Sequence, residues 1–67
     1  MDYINIDTDY LNATECETVV KILKDHDIES FENAFVRFWG KDEIQIDGEL
    51  SFNEMQALVE AMRKINA

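Results

Sequence analysis

The chain has 67 residues, a formal net charge of −9 and a hydrophobic content of 46%, enough for one domain over residues 1–67. This acidity argues against direct binding to nucleic acid or to an anionic membrane, because both would repel it. A single cysteine argues against a disulfide framework. Since the N-terminus also lacks a signal peptide, we expect a cytoplasmic protein, in its own cell or in a host cell.

The N-terminal half begins with a predicted strand and a predicted helix. Residues 3–7 alternate apolar with polar side chains, which is typical of a short strand with one buried face. Thr14 and Glu17 have the spacing of a capping box, so a helix should begin there and run to about Asp25. The apolar stripe of this helix consists of Cys16, Val19, Val20 and Leu23, with Ile22 at its edge.

A second helix is predicted over residues 30–40. Ser30 is a candidate N-cap, and Gly40 suits a left-handed helix end. Between them, apolar side chains recur at helical spacing, at Phe31, Ala34, Phe35 and Phe38. Trp39 extends the same face.

The stretch 43–65 predicts a β-hairpin that runs directly into a third helix. Apolar residues alternate with polar ones on both sides of Asp47-Gly48, a dipeptide that suits a tight two-residue turn. Ser51 and Glu54 then form a capping box. The helix that follows has an apolar stripe made of Phe52, Met55, Val59 and Met62, widened by Leu58 and Ile65. The predicted order is β-α-α-β-β-α, an α+β fold with its helices on one face of a short antiparallel sheet.

Residues 43–54 also resemble the second half of an EF-hand calcium loop. Gly48, Leu50 and Glu54 fall at the sixth, eighth and twelfth places of that pattern. The first and third places hold a glutamate and a glutamine, where the family uses aspartate or another short oxygen ligand. A degenerate EF-hand is therefore an alternative, and the hairpin is the favoured interpretation.

Reactive and metal-binding side chains are few. Cys16 and His26 would lie about 15 Å apart on one helix, too far for a nucleophile and its base. Cys16 lies on an apolar stripe, where a buried small hydrophobic residue is expected. His26 lies between Asp25 and Asp27 at a helix end, where carboxylates favour its charged form. We therefore expect no enzymatic activity, no cofactor and no metal site.

The acidic residues expected to contact a partner lie in the N-terminal half and in the predicted loops. They are Asp7, Asp9, Asp25, Asp27, Glu29, Glu32, Asp42 and Glu43. Because so small a domain cannot bury every large ring, Trp39 or Tyr10 on its surface would give a protein partner an apolar anchor. The last helix is balanced in charge, which indicates that it packs against the core.

In size, acidity and lack of catalytic groups, the chain resembles small acidic inhibitors: phage anti-CRISPR and other DNA-mimic proteins, and immunity proteins against nuclease toxins. These proteins share properties rather than a motif, so no residue role carries over from them. The resemblance implies a non-enzymatic inhibitor of a basic, nucleic-acid-handling protein. Two alternatives stay open: a structural or adaptor module with an apolar patch, a homodimer included, and acidity that serves solubility alone.

Overall fold

Residues 5–67, the part of the chain described by this computed structural model, fold into two helices and a three-stranded mixed sheet, so the predicted α+β class is confirmed. The elements in chain order are β1 (Ile6–Asp7), α1 (Ala13–Asp25), β2 (Ala34–Gly40), β3 (Glu43–Gly48) and α2 (Phe52–Ile65). The first strand was predicted over 3–7, and its residues 3 and 4 lie outside the described part.

The sheet has the order β1-β2-β3. Strand β1 runs parallel to β2, with Ile6 paired to Val36, whereas β2 and β3 are antiparallel. The predicted all-antiparallel sheet is therefore wrong at β1. Helix α1 and the loop after it carry the chain back along the sheet, so that β1 and β2 enter it in the same direction.

Residues 34–40 form a strand, and the predicted second helix over 30–40 is wrong. The buried side chains of β2 alternate with exposed ones, at Ala34, Val36 and Phe38. Because residues 34–40 carry apolar side chains on both faces of the strand, their apolar positions also match the spacing of a helix, and this led to the wrong prediction. β-Branched and aromatic side chains favour the strand, and Gly40 lies at an irregularity in the β2–β3 pairing instead of ending a helix.

The hairpin joins β2 to β3 through Lys41 and Asp42, so the predicted turn at Asp47-Gly48 is wrong. Gly48 instead ends β3, opposite Ala34. Its φ is 116°, and a Cβ there would lie 2.2 Å from the Asn33 carbonyl oxygen. Glycine is thus required by a close crossing of two backbones.

The helix ends are set by two capping boxes. Asn12 Oδ1 accepts from the Glu15 backbone N–H, and the Glu15 carboxylate accepts from the Asn12 N–H. The box predicted two residues later, at Thr14 and Glu17, is wrong, since Asn12 and Glu15 have the same spacing and start the helix earlier. The predicted box of Ser51 with Glu54 at the start of α2 is confirmed.

The core lies between the two helices and the inner face of the sheet. Its members from α1 and α2 are Val19, Ile22, Leu23, Ala57, Leu58 and Ala61. The stripe predicted for α2 is therefore correct at Leu58 and wrong at Phe52, Met55 and Val59, which are exposed. The buried face of α2 consists of Ala57, Leu58 and Ala61. Neither described helix is long and apolar enough to cross a membrane.

Candidate functional site

The face of the sheet that points away from the helices is exposed and carries aromatic and charged side chains. The alternation along β2 places Phe35, Arg37 and Trp39 opposite the buried residues of that strand. Their neighbours across the sheet are set by the pairing of β2 with β1 and β3. We call this the outer sheet face, defined by Asp7, Tyr10, Phe35, Arg37, Trp39, Gln45 and Asp47.

Arg37 occupies the centre of the outer sheet face. Its Nε donates to Asp7 Oδ2 at 2.9 Å. Its guanidinium carbon lies 4.9 Å from the ring centroid of Trp39 and 5.7 Å from that of Phe35. The cation is therefore neutralised by one carboxylate while it stacks between two rings, an arrangement that favours a planar guanidinium.

Trp39 is held from two sides. The ring of Tyr10 packs on it with centroids 4.9 Å apart. Trp39 Nε1 donates to Gln45 Oε1 at 3.0 Å, and Gln45 Nε2 donates to Asp47 Oδ2 at 2.9 Å. These contacts fix the indole before any partner arrives, which lowers the entropy lost on binding.

The large rings of the outer sheet face stay accessible despite these contacts. Tyr10 is 55% exposed, Trp39 42% and Phe35 38%. Either Trp39 or Tyr10 was predicted to be exposed as a surface anchor. In the structure both are exposed, and their rings contact each other. Phe35 was predicted to belong to a buried helical face, and only the period of the strand reveals it as exposed.

The predicted acidic residues fall into separate places in the fold. Asp7 belongs to the face itself, and its Oδ1 accepts from the backbone N–H of Asp9 at 2.9 Å. Asp42 and Glu43 are exposed at the β2–β3 turn, the end of β2 that carries Trp39. Asp25 is the last residue of α1, and Asp27, Glu29 and Glu32 lie in the loop between α1 and β2. Carboxylates therefore occur in the connections on both sides of β2, and those of the α1–β2 loop lie around a depression that Lys24 also lines.

A shallow depression of about 410 Å³ collects acids from distant parts of the chain. Asp27 and Glu32 line it together with Glu49 and Glu54. Glu49 is brought there because its backbone N–H donates to the Asn33 carbonyl at 2.9 Å. Glu49 is distant from Asp27 in the sequence, and only the pairing of β2 with β3 shows that it joins the loop acids.

His26 links the end of α1 to α2. The residue ends α1 as its C-cap, and its ring nitrogens lie 3.0 Å from Asn53 Oδ1 and 2.9 Å from Glu60 Oε2. These two contacts, with Asn53 the larger cause, raise the pKa of His26 above its ordinary value of 6.5, and Asp25 adds to the effect. The expected preference for the charged form is confirmed, with partners on α2 that the sequence did not reveal.

The remaining candidates for chemistry do not form a site in the described residues. Cys16 is half-buried, and its Sγ donates to the Thr8 carbonyl at 3.3 Å. The stretch 43–48 is a strand, and the Glu54 carboxylate accepts from the Ser51 N–H, so the calcium-loop geometry is not formed. Within residues 5–67, no group of three or more His, Cys, Asp or Glu side chains is placed to hold a metal ion.

A second exposed apolar surface lies on α2. We call it the α2 stripe, defined by Phe52, Met55 and Val59, which are 79%, 45% and 42% exposed. These residues lie on the side of the helix opposite Ala57 and Ala61. The sequence predicted them to be core, and it carried no signal that the alanine face would be the buried one.

In comparisons with known proteins, no protein-family model, no curated protein and no solved structure matches the chain.

Proposed function

We propose that the chain is a non-enzymatic binding protein that inhibits a basic, nucleic-acid-handling protein by docking on its basic surface. The observation that carries this function is the outer sheet face, where Tyr10, Trp39, Arg37 and Phe35 form an ordered, exposed row. Aromatic and arginine side chains are the residues that most often anchor protein interfaces. No residue of this surface is assigned a catalytic role.

The chemistry of the outer sheet face matches lysine and arginine. The exposed rings can accept a guanidinium or ammonium group on their faces. Carboxylates at both ends of β2, such as Glu43 and Glu32, can pair with further cations. The one cation of the outer sheet face, Arg37, is already neutralised by Asp7, so it does not repel a basic partner.

The dimensions of the domain suit mimicry of a nucleic acid strand. Its longest axis is 26 Å, a length over which one strand carries about eight phosphates at roughly 3.4 Å spacing. The net charge is −9. A domain with this density of charge can occupy a groove built for nucleic acid, with fast association that weakens as salt rises. The resemblance to small acidic inhibitors implies a phage, anti-CRISPR-like origin for such an inhibitor.

Affinity capture with a matched pair of charge reversals tests this function. The protein is immobilised, exposed to a nuclease-treated bacterial lysate and eluted along a salt gradient. Glu43→Lys at the end of the outer sheet face should shift elution of the basic partner to lower salt. Glu17→Lys changes the net charge equally from an exposed position on α1 and should shift it less. Equal shifts for both variants would show that net charge alone, and no specific surface, retains the partner.

A second candidate function is a structural or adaptor module that binds through the α2 stripe. Phe52 favours it, since a phenylalanine that is 79% exposed is unusual unless something covers it. An adaptor of this kind should keep its partner at high salt, because apolar contacts are not screened. Replacing Phe52 by alanine should then release the partner, whereas Trp39→Ala should leave it bound.

A further inference from the structure

We infer that the open edge of β3 binds an extended segment of the basic partner, which pairs with β3 as a fourth, antiparallel strand. In this segment lysine or arginine alternates with apolar residues. The inference rests on the proposed function, because it states which part of a basic partner docks beside the outer sheet face.

Strand β3 lies at the edge of the sheet. The order β1-β2-β3 leaves it paired with β2 alone among the strands of residues 5–67. Five of its six residues are exposed, and the sixth, Ile44, is half-buried. A strand in this position offers a row of backbone N–H and C=O groups with which an extended segment of another chain can pair.

The backbone hydrogen bonds of β2 show which groups of β3 face the open edge. The Val36 N–H donates to the Asn5 carbonyl at 3.2 Å, so Val36 directs its backbone groups toward β1 and away from β3. Ile46 is the residue of β3 that pairs with Val36. In an antiparallel pair, the partner of such a residue also directs its N–H and C=O outward, and the direction alternates along the strand. The N–H and C=O groups of Ile44 and Ile46 therefore point to the open edge.

The side chains of β3 form two rows of different chemistry. Glu43, Gln45 and Asp47 point to the side of the outer sheet face, whereas Ile44 and Ile46 point to the side of the helices. Ile46 is 38% exposed on that side. A fourth strand continues both rows, because directly paired residues share a face of the sheet. Basic side chains of the segment then lie beside the acids, and apolar ones lie beside the isoleucines.

The acids of β3 favour a basic segment over a second copy of this chain. Within residues 5–67, neither Glu43 nor Asp47 forms an ion pair, and the Asp47 carboxylate accepts from the neutral Gln45 amide. If β3 paired with β3 of a second copy so that Ile44 lay opposite Ile46, Glu43 would lie opposite Asp47 twice. Like charges directly opposite each other are destabilising, whereas lysine or arginine at these places forms favourable pairs.

Titration of the isotope-labelled protein with a synthetic peptide tests the inference. The peptide has about eight residues in which lysine alternates with valine, enough to span β3. Amide hydrogen exchange at Ile44 and Ile46, followed by NMR, should slow at least about tenfold at saturation. The Gln45 amide, which points to β2, is the internal control and should change less. A peptide of the same composition with its lysines and valines in separate blocks should bind more weakly.

A matched pair of N-methylated peptides separates backbone pairing from charge. In an antiparallel fourth strand the valines lie opposite Ile44 and Ile46 and donate their N–H groups to β3, whereas the lysine N–H groups point away. Methylating the valine nitrogens should therefore raise the dissociation constant at least about tenfold, since several hydrogen bonds are lost. Methylating the lysine nitrogens should raise it much less, although both peptides keep the same charge.

Three results would overturn the inference. One is the absence of binding by the alternating peptide, and another is binding that leaves exchange at Ile44 and Ile46 unchanged. The third is equal weakening by the two methylated peptides. Capture of a basic partner that still depends on Trp39 would keep the proposed function in each of these cases. A lysate that yields no basic partner contradicts the proposed function itself.

Discussion

At the scale of single residues, position in the fold decides what a side chain does. Asp7 and Asp42 are both acidic, yet Asp7 neutralises Arg37 while Asp42 is exposed in a turn. Cys16 and His26 have reactive side chains, and both are used for packing and for linking elements. The sequence identified His26 as charged and at a helix end, but its partners on α2 depend on tertiary structure.

His26 should make the stability of the domain depend on pH. Because its folded-state pKa is raised above 6.5, its contribution is fully present below 6.5 and is lost as pH rises through the raised value. Thermal melts of the wild type and His26→Gln should differ most near pH 6 and converge toward about pH 9. A melting-temperature difference that is constant or grows with pH would contradict this role.

Gly48 should tolerate no side chain. Its φ of 116° and the 2.2 Å approach of an added Cβ to the Asn33 carbonyl both oppose substitution. Gly48→Ala should lower the free energy of unfolding by at least about 2 kcal/mol, measured by urea denaturation. Gly40→Ala is the control and should cost less, because its φ is not positive and the nearest atom, Asp42 Oδ1, would lie 4.0 Å away. Equal losses would show that Gly48 is not required by this crossing.

At the scale of secondary structure, local signals predicted the start of α2 correctly, placed the start of α1 two residues too late, and predicted a helix where β2 is a strand. The Ser51–Glu54 box requires only a spacing of three residues and was correct. Residues 34–40 are apolar on both faces, so they fit a helix as well as a strand until a pairing partner is known. The turn prediction at Asp47-Gly48 was wrong as a consequence, because once residues 34–40 are a strand the hairpin is made by Lys41 and Asp42.

The cap of α1 can be assigned by paired substitutions. Asn12→Ala should cost about 1 kcal/mol of unfolding free energy, since it leaves a backbone N–H of the first turn without its acceptor. Thr14→Ala should cost little, because Thr14 lies inside the helix and is exposed. Chemical denaturation of both variants measures the difference, and a larger loss at Thr14 would restore the cap expected from the sequence.

At the scale of the whole molecule, charge was readable from the sequence and surface geometry was not. The clusters around Asp27 and Asp42 were identified correctly, as exposed and in connections. Their position relative to Trp39 depends on β2 being a strand, which places Trp39 beside Tyr10 and Arg37. The exposure of Phe52 could not be predicted either, because no pattern in the sequence indicates that the face with Ala57 and Ala61 is the buried one.

The outer sheet face is tested most directly by removing its central ring. Trp39→Ala and Phe52→Ala each delete one exposed aromatic side chain, from the outer sheet face and from the α2 stripe respectively. The measurement is the amount of a basic, nucleic-acid-handling protein that each variant retains from a nuclease-treated lysate, with DNA and RNA as competitors. The account predicts that Trp39→Ala loses most of the partner at moderate salt while Phe52→Ala retains it. Undiminished retention by Trp39→Ala, or capture that added DNA and RNA do not reduce, would contradict it.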